Sequence, residues 1–370
     1  MKTVGTFSFL SDSSDSPLNS ELISELRSSC CLSLQDNNIV NSIIESINTT
    51  GDFPYKLTAQ ELNHLNHSEK KDWLKYLIYR YKFVQYPKEK TLVEFPVYIL
   101  IEPTSVCNLR CVMCFQVDKT FTRQPYMGMM KFDLFQQIVD EAVEGGTGGI
   151  TLASRGEPTL HKQLPQMLKY LSGKFYELKL TTNATLLNEK LIHAILESNV
   201  NIIVFSVDAH SSPLYEQIRV RGNFETVCRN IESFHNIREK YYPSSITTTR
   251  ISAVKFRDDQ NPKAFTDFWS NIVDEVGMKN AAARWDTYNN AIEDVNEHPC
   301  SYLWERLYIW HDGSTSPCDA DYKSRLKVSS INNSSIKDVW LGERLQTIRQ
   351  KHLESRRVEL NPCDRCQINY

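Results

Sequence analysis

The chain lacks any apolar run approaching the roughly 18 residues a membrane helix needs, so no membrane span is expected. It lacks a charge excess: the net charge is −3, which gives no footprint for nucleic acid or another polyanion. It lacks the cysteine density of a disulfide scaffold, with ten in 370 residues. Its first ten residues are too short and too weakly apolar for a signal peptide. These absences point to a cytoplasmic protein with no membrane or nucleic-acid partner. Hydrophobic residues make up 41% and charged residues 24%, ordinary for a globular chain. The length allows one large domain with appendages, or two to three domains.

What is present is an uneven placing of the cysteines. Seven of the ten fall in two groups, one central and one C-terminal, a pattern of metal binding in a reducing compartment. The central group, Cys107, Cys111 and Cys114, directly follows the apolar run from Phe95 to Ile101, which reads as a buried strand. Three thiolates on a loop leaving a strand can converge on one metal centre, and they suit zinc or an iron–sulfur cluster. Three cysteines on a four-iron cube leave one iron open to a small molecule, as a catalytic zinc site keeps a position free. A zinc site would want a fourth nearby Cys or His, and the next histidine is His161. Unrelated buried thiols or disulfide partners are the remaining readings. The C-x3-C-x2-C spacing resembles the signature of the radical S-adenosylmethionine (SAM) enzymes.

Residues 1–92 read as a helical N-terminal region of undetermined role. Its start is rich in Ser and Asp and reads as loop. Helices are expected over 18–32 and 38–47. Thr58 and Glu61 form a capping box that opens another, and Trp73, Leu74, Leu77 and Tyr81 mark a further helix over 68–84, ended by Pro87. Cys30 and Cys31 have no ligand partners in view.

From residue 93 to about 290, strand and helix patterns alternate. Strands are expected at 95–101, 150–153, 178–182, 201–207 and 246–254, with a sixth near 281–285. Helices are expected at 131–144, 163–172, 188–198, 223–240 and 262–276. Repeated βα units predict a parallel sheet, doubly wound or an open barrel. Glu157, Asn183 and Asp208 each follow a strand, 26 and 25 residues apart, about one βα unit. Functional groups would gather at the C-terminal strand ends.

Four segments there extend the resemblance over residues 95–254. The segment from Ser154 to Pro158 is similar to the family's Gly-Gly-Glu motif, with Arg155 in place of the first glycine. It implies that Gly156 and Glu157 receive the SAM amino group, a charge-assisted contact. An ordinary surface glutamate is the plainer reading. Thr181 to Leu187 resembles the family's Thr-Asn-Gly turn, with Ala184 for glycine; Asn183 is then a SAM contact or only a turn residue. Ser206 and Asp208 match a Ser-x-Asp strand end that contacts SAM, although Asp208 can also cap a helix. Arg219 matches an arginine that pairs with the SAM carboxylate, while Arg221 is solvated. Met113, within the cysteine loop, is also assigned to SAM. Cys228 is expected in the core.

The C-terminal group is Cys300, Cys318, Cys363 and Cys366. His311 to Ser314 reads as a hairpin turn between strands at 306–310 and 315–317, which would bring Cys300 near Cys318. A helix opening at Ser335 runs to about His352. This order resembles the SPASM and twitch extensions of radical SAM enzymes, which bind auxiliary [4Fe–4S] clusters. The full SPASM form has seven cysteines and commonly two clusters; four fit the one-cluster variant. Four cysteines can fully ligate one cube, to pass electrons or to staple a small domain. A four-cysteine zinc ribbon is the alternative. Without Cys300 the cluster would keep an open iron.

The resemblance therefore implies an α/β fold. It would be a partial (β/α)6 TIM-like radical SAM barrel over 93–290, with a small β-hairpin/helix auxiliary-cluster domain over 291–370. It implies two [4Fe–4S] clusters, SAM, and a low-potential electron donor such as flavodoxin or ferredoxin. SAM would be cleaved to a 5′-deoxyadenosyl radical that abstracts hydrogen from a substrate C–H bond, an oxidoreductase-type reaction. Peptide-modifying relatives often carry an N-terminal winged-helix domain with a three-stranded sheet. No such strand pattern occurs in residues 1–90, which favours a sugar-like or other small polar substrate, oxidised or epimerised. Arg155, Trp285, Asp286 and Tyr288 are the candidate pocket residues, each with a structural role as the plainer reading. A peptide maturase, a non-enzymatic iron–sulfur electron carrier and a zinc-bound interaction protein are the other readings.

Overall fold

The computed structural model describes residues 8–9, 32–50, 53–55, 57–67, 69–282, 285–291 and 298–366. It divides into two compact units, Phe9–Leu92, and Met1–Ser8 with Val93–Tyr370. Cys30, Cys31 and nearly all of the helix expected over 18–32 lie outside the described residues.

The first unit is built on the helices Leu34–Thr50, Ala59–His67 and Lys70–Val84, with a short turn Tyr86–Glu89 that Pro87 opens rather than a plain stop. Ile39, Val40, Ile43 and Ile47 recur at helical spacing and are buried. The capping box forms both ways: Thr58 Oγ1 accepts from the Glu61 amide at 3.2 Å, and Glu61 Oε2 accepts from the Thr58 amide at 2.7 Å. Glu61 also pairs with the buried Arg80 at 2.7 Å. Thr58→Ala is expected to cost about 1 kcal/mol at this helix start. Amide hydrogen exchange at Glu61 should speed roughly fivefold, and an unchanged rate would deny the cap its role. Among the described residues, no helix is long and apolar enough to cross a membrane.

In the second unit six parallel strands lie side by side in sequence order: β1 Tyr98–Ile101, β2 Gly149–Leu152, β3 Glu177–Thr182, β4 Ile202–Ser206, β5 Thr248–Lys255 and β6 Glu275–Asn280. Sequential order without a reversal is that of an open barrel and not of a doubly wound sheet. Each strand has two unlike faces. Ile99, Ile101, Ile150, Leu152, Leu178, Leu180, Ile203, Phe205 and Ile251 join the core with Phe135, Val139, Leu168, Ile195 and Phe234 of the surrounding helices. The alternate residues (Thr151, Lys179, Thr181, Val204, Arg250, Ser252) therefore face the barrel lumen.

The sixth strand is Glu275–Asn280, not 281–285, and the helix before it is Pro262–Trp269, not 262–276. Glu275 and Lys279 occupy the lumen face of that strand, which erased the apolar alternation that marks the others. The helix expected from Ser335 to His352 is two helices, Ile336–Leu341 and Glu343–Leu353, broken where Gly342 takes φ −65° and ψ 150°.

The expected hairpin forms from β7 Arg306–Ile309 and β8 Thr315–Ser316, antiparallel. It also does something the sequence did not announce. β7 pairs in parallel with β1, from Tyr98 opposite Arg306 to Ile101 opposite Ile309, so the C-terminal segment extends the barrel sheet.

Candidate active site and cysteine centres

The loop carrying Cys107, Cys111 and Cys114 leaves the C-terminal end of β1 and is pinned from several sides. The amides of Arg110 and Val112 donate to the carbonyls of Val220 and Ile218 at 2.9 and 3.0 Å. The Arg110 guanidinium caps the carbonyls of Cys107 and Leu109 at 2.8 and 2.7 Å. Asn108 joins the loop to the β3 end, accepting from Asn183 Nδ2 at 3.0 Å and donating to Thr185 at 2.8 Å. Gln116 follows the last cysteine and donates to the carbonyls of Ser105 and Arg155 at 2.8 and 2.5 Å.

The three cysteines line one cavity of about 230 Å³ at the strand ends. Met113, Gly156, Glu157, Asn183, Ser206 and Arg219 share its wall. Burial pushes the Cys107 thiol up to about 11 and the Cys111 thiol up to about 12, and the neighbouring cysteines add to both. Thiols so gathered need a cationic centre to become thiolates. Among the described residues, no three or more His, Cys, Asp and Glu close up as a single metal ion requires. A cube attaches each thiolate to a different iron, and the three-thiol wall fits that donor set.

Glu157 is buried and heavily used. Its carboxylate accepts from Thr182 Oγ1 at 2.6 Å, the Asn183 amide at 2.7 Å, and the hydroxyl and amide of Thr159 at 2.7 and 3.1 Å. Burial still pushes its carboxyl above the usual range. Asn183 turns its side-chain oxygen to Thr185, at 3.0 Å from the amide and 2.7 Å from the hydroxyl. The left-handed position beside it, φ 61°, belongs to Ala184, where the family pattern has glycine. Asp208 does not line the cavity. It sits behind it, accepting from Arg219 Nε at 2.7 Å and from the Val254 amide at 2.9 Å, and so orients the arginine. Cys228 packs against the core.

Gly156 is pressed onto the chain between Thr104 and Val106, where an added Cβ would fall against two carbonyl oxygens. Gly156→Ala must move backbone and is expected to cost about 1–3 kcal/mol. A midpoint of urea unfolding equal to wild type would contradict this close packing.

Of the four candidate pocket residues, only Arg155 touches the cavity, and its guanidinium is spent elsewhere. It binds the fully buried Glu102 in a two-pronged pair, Nε and Nη2 each at 2.6 Å, and donates to the Tyr322 carbonyl at 2.9 Å. It also lies 4.2 Å from the Trp310 ring centroid. His311 Nδ1 is 3.0 Å from the same carboxylate. Burial pushes the Glu102 carboxyl up, but Arg155 and His311 outweigh it and hold it at about 2. Tyr288 is buried, its hydroxyl donating to Asp321 at 2.7 Å. Asp286 accepts from Asn289 at 2.6 Å, and Trp285 is exposed.

Cys300, Cys318, Cys363 and Cys366 come near one another in a second group. Burial drives the Cys318 and Cys363 thiols well above their usual range, and other cysteines of the group raise both further. Arg357, buried, braces the set by donating to the carbonyls of Cys363, Cys366 and His298 at 3.0, 3.1 and 3.2 Å. Four cysteines so gathered suit the donor set of a fully ligated cube. Asn108, Gln116, Thr182 and Arg357 escaped the sequence reading. Each acts by binding main chain or another side chain outside any recognisable motif, which no local pattern encodes.

Residues 101–268 match the radical SAM superfamily, and residues 300–367 match the SPASM iron-sulfur cluster-binding domain. The chain is 34% identical over 117 residues to the tungsten-containing aldehyde ferredoxin oxidoreductase cofactor-modifying protein of Pyrococcus furiosus, covering 30% of each. It spans 30% to 50% of the length of such curated relatives. Among solved structures, BtrN in complex with AdoMet and 2-DOIA is similar with a TM-score of 0.52 and 16% identity, over 74% of this chain and 93% of that one. Streptococcus suis SuiB bound to the precursor peptide SuiA gives 0.55 and 15%, over 89% and 83%. At these identities the likeness speaks for the fold alone. The two matches lie in order along the barrel and the four-cysteine segment: the chain carries a radical SAM domain over residues 101–268 and a SPASM-type iron–sulfur domain over residues 300–367.

Proposed function

We propose that this chain is an enzyme that holds a [4Fe–4S] cluster through Cys107, Cys111 and Cys114, binds SAM against it, and removes hydrogen from a substrate C–H bond. The observation that carries the reading is the single cavity shared by the three thiols with Gly156, Glu157, Asn183, Ser206 and Arg219. When bound, the cluster with SAM supplies one-electron cleavage of the sulfonium to methionine and a 5′-deoxyadenosyl radical. Arg219, aimed by Asp208, would receive the SAM carboxylate. Gly156 and Glu157 would receive the amino group, Ser206 the ribose or carboxylate, and Met113 would pack beside them. Asn183 contributes by tying Asn108, and so the cysteine loop, to the β3 end. Residues 93–290 would be the catalytic core, and residues 291–370 would hold an auxiliary [4Fe–4S] cluster through Cys300, Cys318, Cys363 and Cys366. That cluster would staple the segment or take an electron from the substrate, making the net reaction an oxidation. A low-potential donor such as flavodoxin or ferredoxin would supply the first electron.

The polar lumen below the cavity favours a small polar substrate. A peptide substrate is the second reading: SuiB, which shares the fold, is bound to its precursor peptide SuiA. The experiment is anaerobic reconstitution with iron and sulfide, then SAM and a strong reductant. Release of 5′-deoxyadenosine is expected. Bound zinc, no iron and no 5′-deoxyadenosine would overturn the reading.

A further inference from the structure

We propose that Lys179 holds an anionic group of the substrate, a carboxylate or a phosphate, in the barrel lumen beneath the cysteine-lined cavity. The inference rests on the functional reading above and names the substrate class for the same site.

Lys179 lies on β3, in register with Thr151 of β2 and Ile202 of β4. Its strand neighbours Leu178 and Leu180 enter the helix-facing core, so Lys179 points the other way, into the lumen. Thr181, two residues further on the same face, lines the cavity. The rise between them is roughly 7 Å, about the length of a lysine side chain, so Lys179 stands one side-chain length below a residue of the cavity wall.

The surroundings leave this cation alone. Among the described residues it makes no hydrogen bond or ion pair, while its neighbours are engaged. Arg250 pairs with Glu275, Arg306 with Glu305, and Glu177 accepts from the Tyr98 hydroxyl at 3.2 Å. Arg250, Arg306 and Lys279 all repel the Lys179 charge, and only Glu177 favours it. Burial, then Arg250, push the ammonium down to about 8. A half-buried lysine whose one favourable carboxylate is outnumbered by three cations is costly, and an anion bound beside it would offset that cost. The same lumen face offers hydroxyls at Thr181 and Ser252 for the remaining oxygens, while that of Thr151 is held by the Tyr98 hydroxyl at 2.7 Å.

The test uses the reconstituted protein, titrated calorimetrically with malonate and with inorganic phosphate at constant ionic strength. One of the two probes is expected to bind, and which one identifies the anion. Lys179→Met should weaken that binding roughly tenfold or more, and Lys179→Arg should restore most of it. Failure of both probes to bind wild type would overturn the proposal, as would equal binding by Lys179→Met. Binding of S-adenosylhomocysteine to wild type is measured alongside. Its absence would count against the functional reading, whereas the anion titration reports on Lys179 itself.

Discussion

Cys114→Ala protein, reconstituted with iron and sulfide, is expected to carry about four irons fewer per chain and to release no 5′-deoxyadenosine. Cys114 opens the short turn Phe115–Val117, and its loss leaves two thiols for a cube that needs three. Cys363→Ala is expected to lose about four irons as well but to keep SAM cleavage detectable. The difference follows from place: Cys114 shares the cavity with Glu157 and Arg219, and Cys363 belongs to the other thiol group, braced by Arg357. Iron analysis with chromatography of the nucleoside products reads both outcomes. Full cleavage by Cys114→Ala would remove the central group from the chemistry.

The thiol groups were legible because their chemistry is written in identity and spacing: C-x3-C-x2-C needs only a short loop to converge. The apolar strands β1 to β5 were legible for a related reason, since Ile, Leu and Val on the helix-facing side leave a repeating mark. β6 was misplaced because Glu275 and Lys279 face the lumen, and a charged inner face looks like a loop. The pairing of β7 with β1 could not be read at all. Register between segments some 200 residues apart is set by packing, not by local pattern. The roles of Arg155 and Asp208 were hidden likewise. Both were read as groups facing a ligand, but Arg155 turns to Glu102, and Asp208 stands behind Arg219. A sequence shows which charges exist, and only the fold shows which of them are already paired.

Arg155→Ala is expected to lower the stability of the barrel by about 3–5 kcal/mol, the usual cost of leaving a buried carboxylate without its partner. Glu102 is fully buried, and only His311 and the main-chain amide of residue 155, 3.2 Å away, would remain beside it. The dependence on pH gives the cause away. In wild type the Glu102 carboxyl is lowered from 4.5 to about 2, so its contribution is present above pH 4.5 and fades as the pH falls toward 2. Without the guanidinium, burial would push the carboxyl up instead, and protonation would then relieve the variant. The gap in urea midpoint between wild type and Arg155→Ala should therefore be widest near pH 7 and narrow on acidification. A gap constant from pH 7 to pH 3 would deny the charge pair its role. Exchanging both partners, Glu102→Leu with Arg155→Met, removes more atoms yet should cost less than Arg155→Ala, because no charge is stranded. The arginine stands where the family pattern has glycine, and the geometry supplies its use there. Between Glu102 and the Trp310 ring, it clamps the turn carrying Gly156 and Glu157 to the hairpin that leads into Cys318. A loosened clamp should thus disturb both cysteine centres together, which iron content of the Arg155→Ala protein would record.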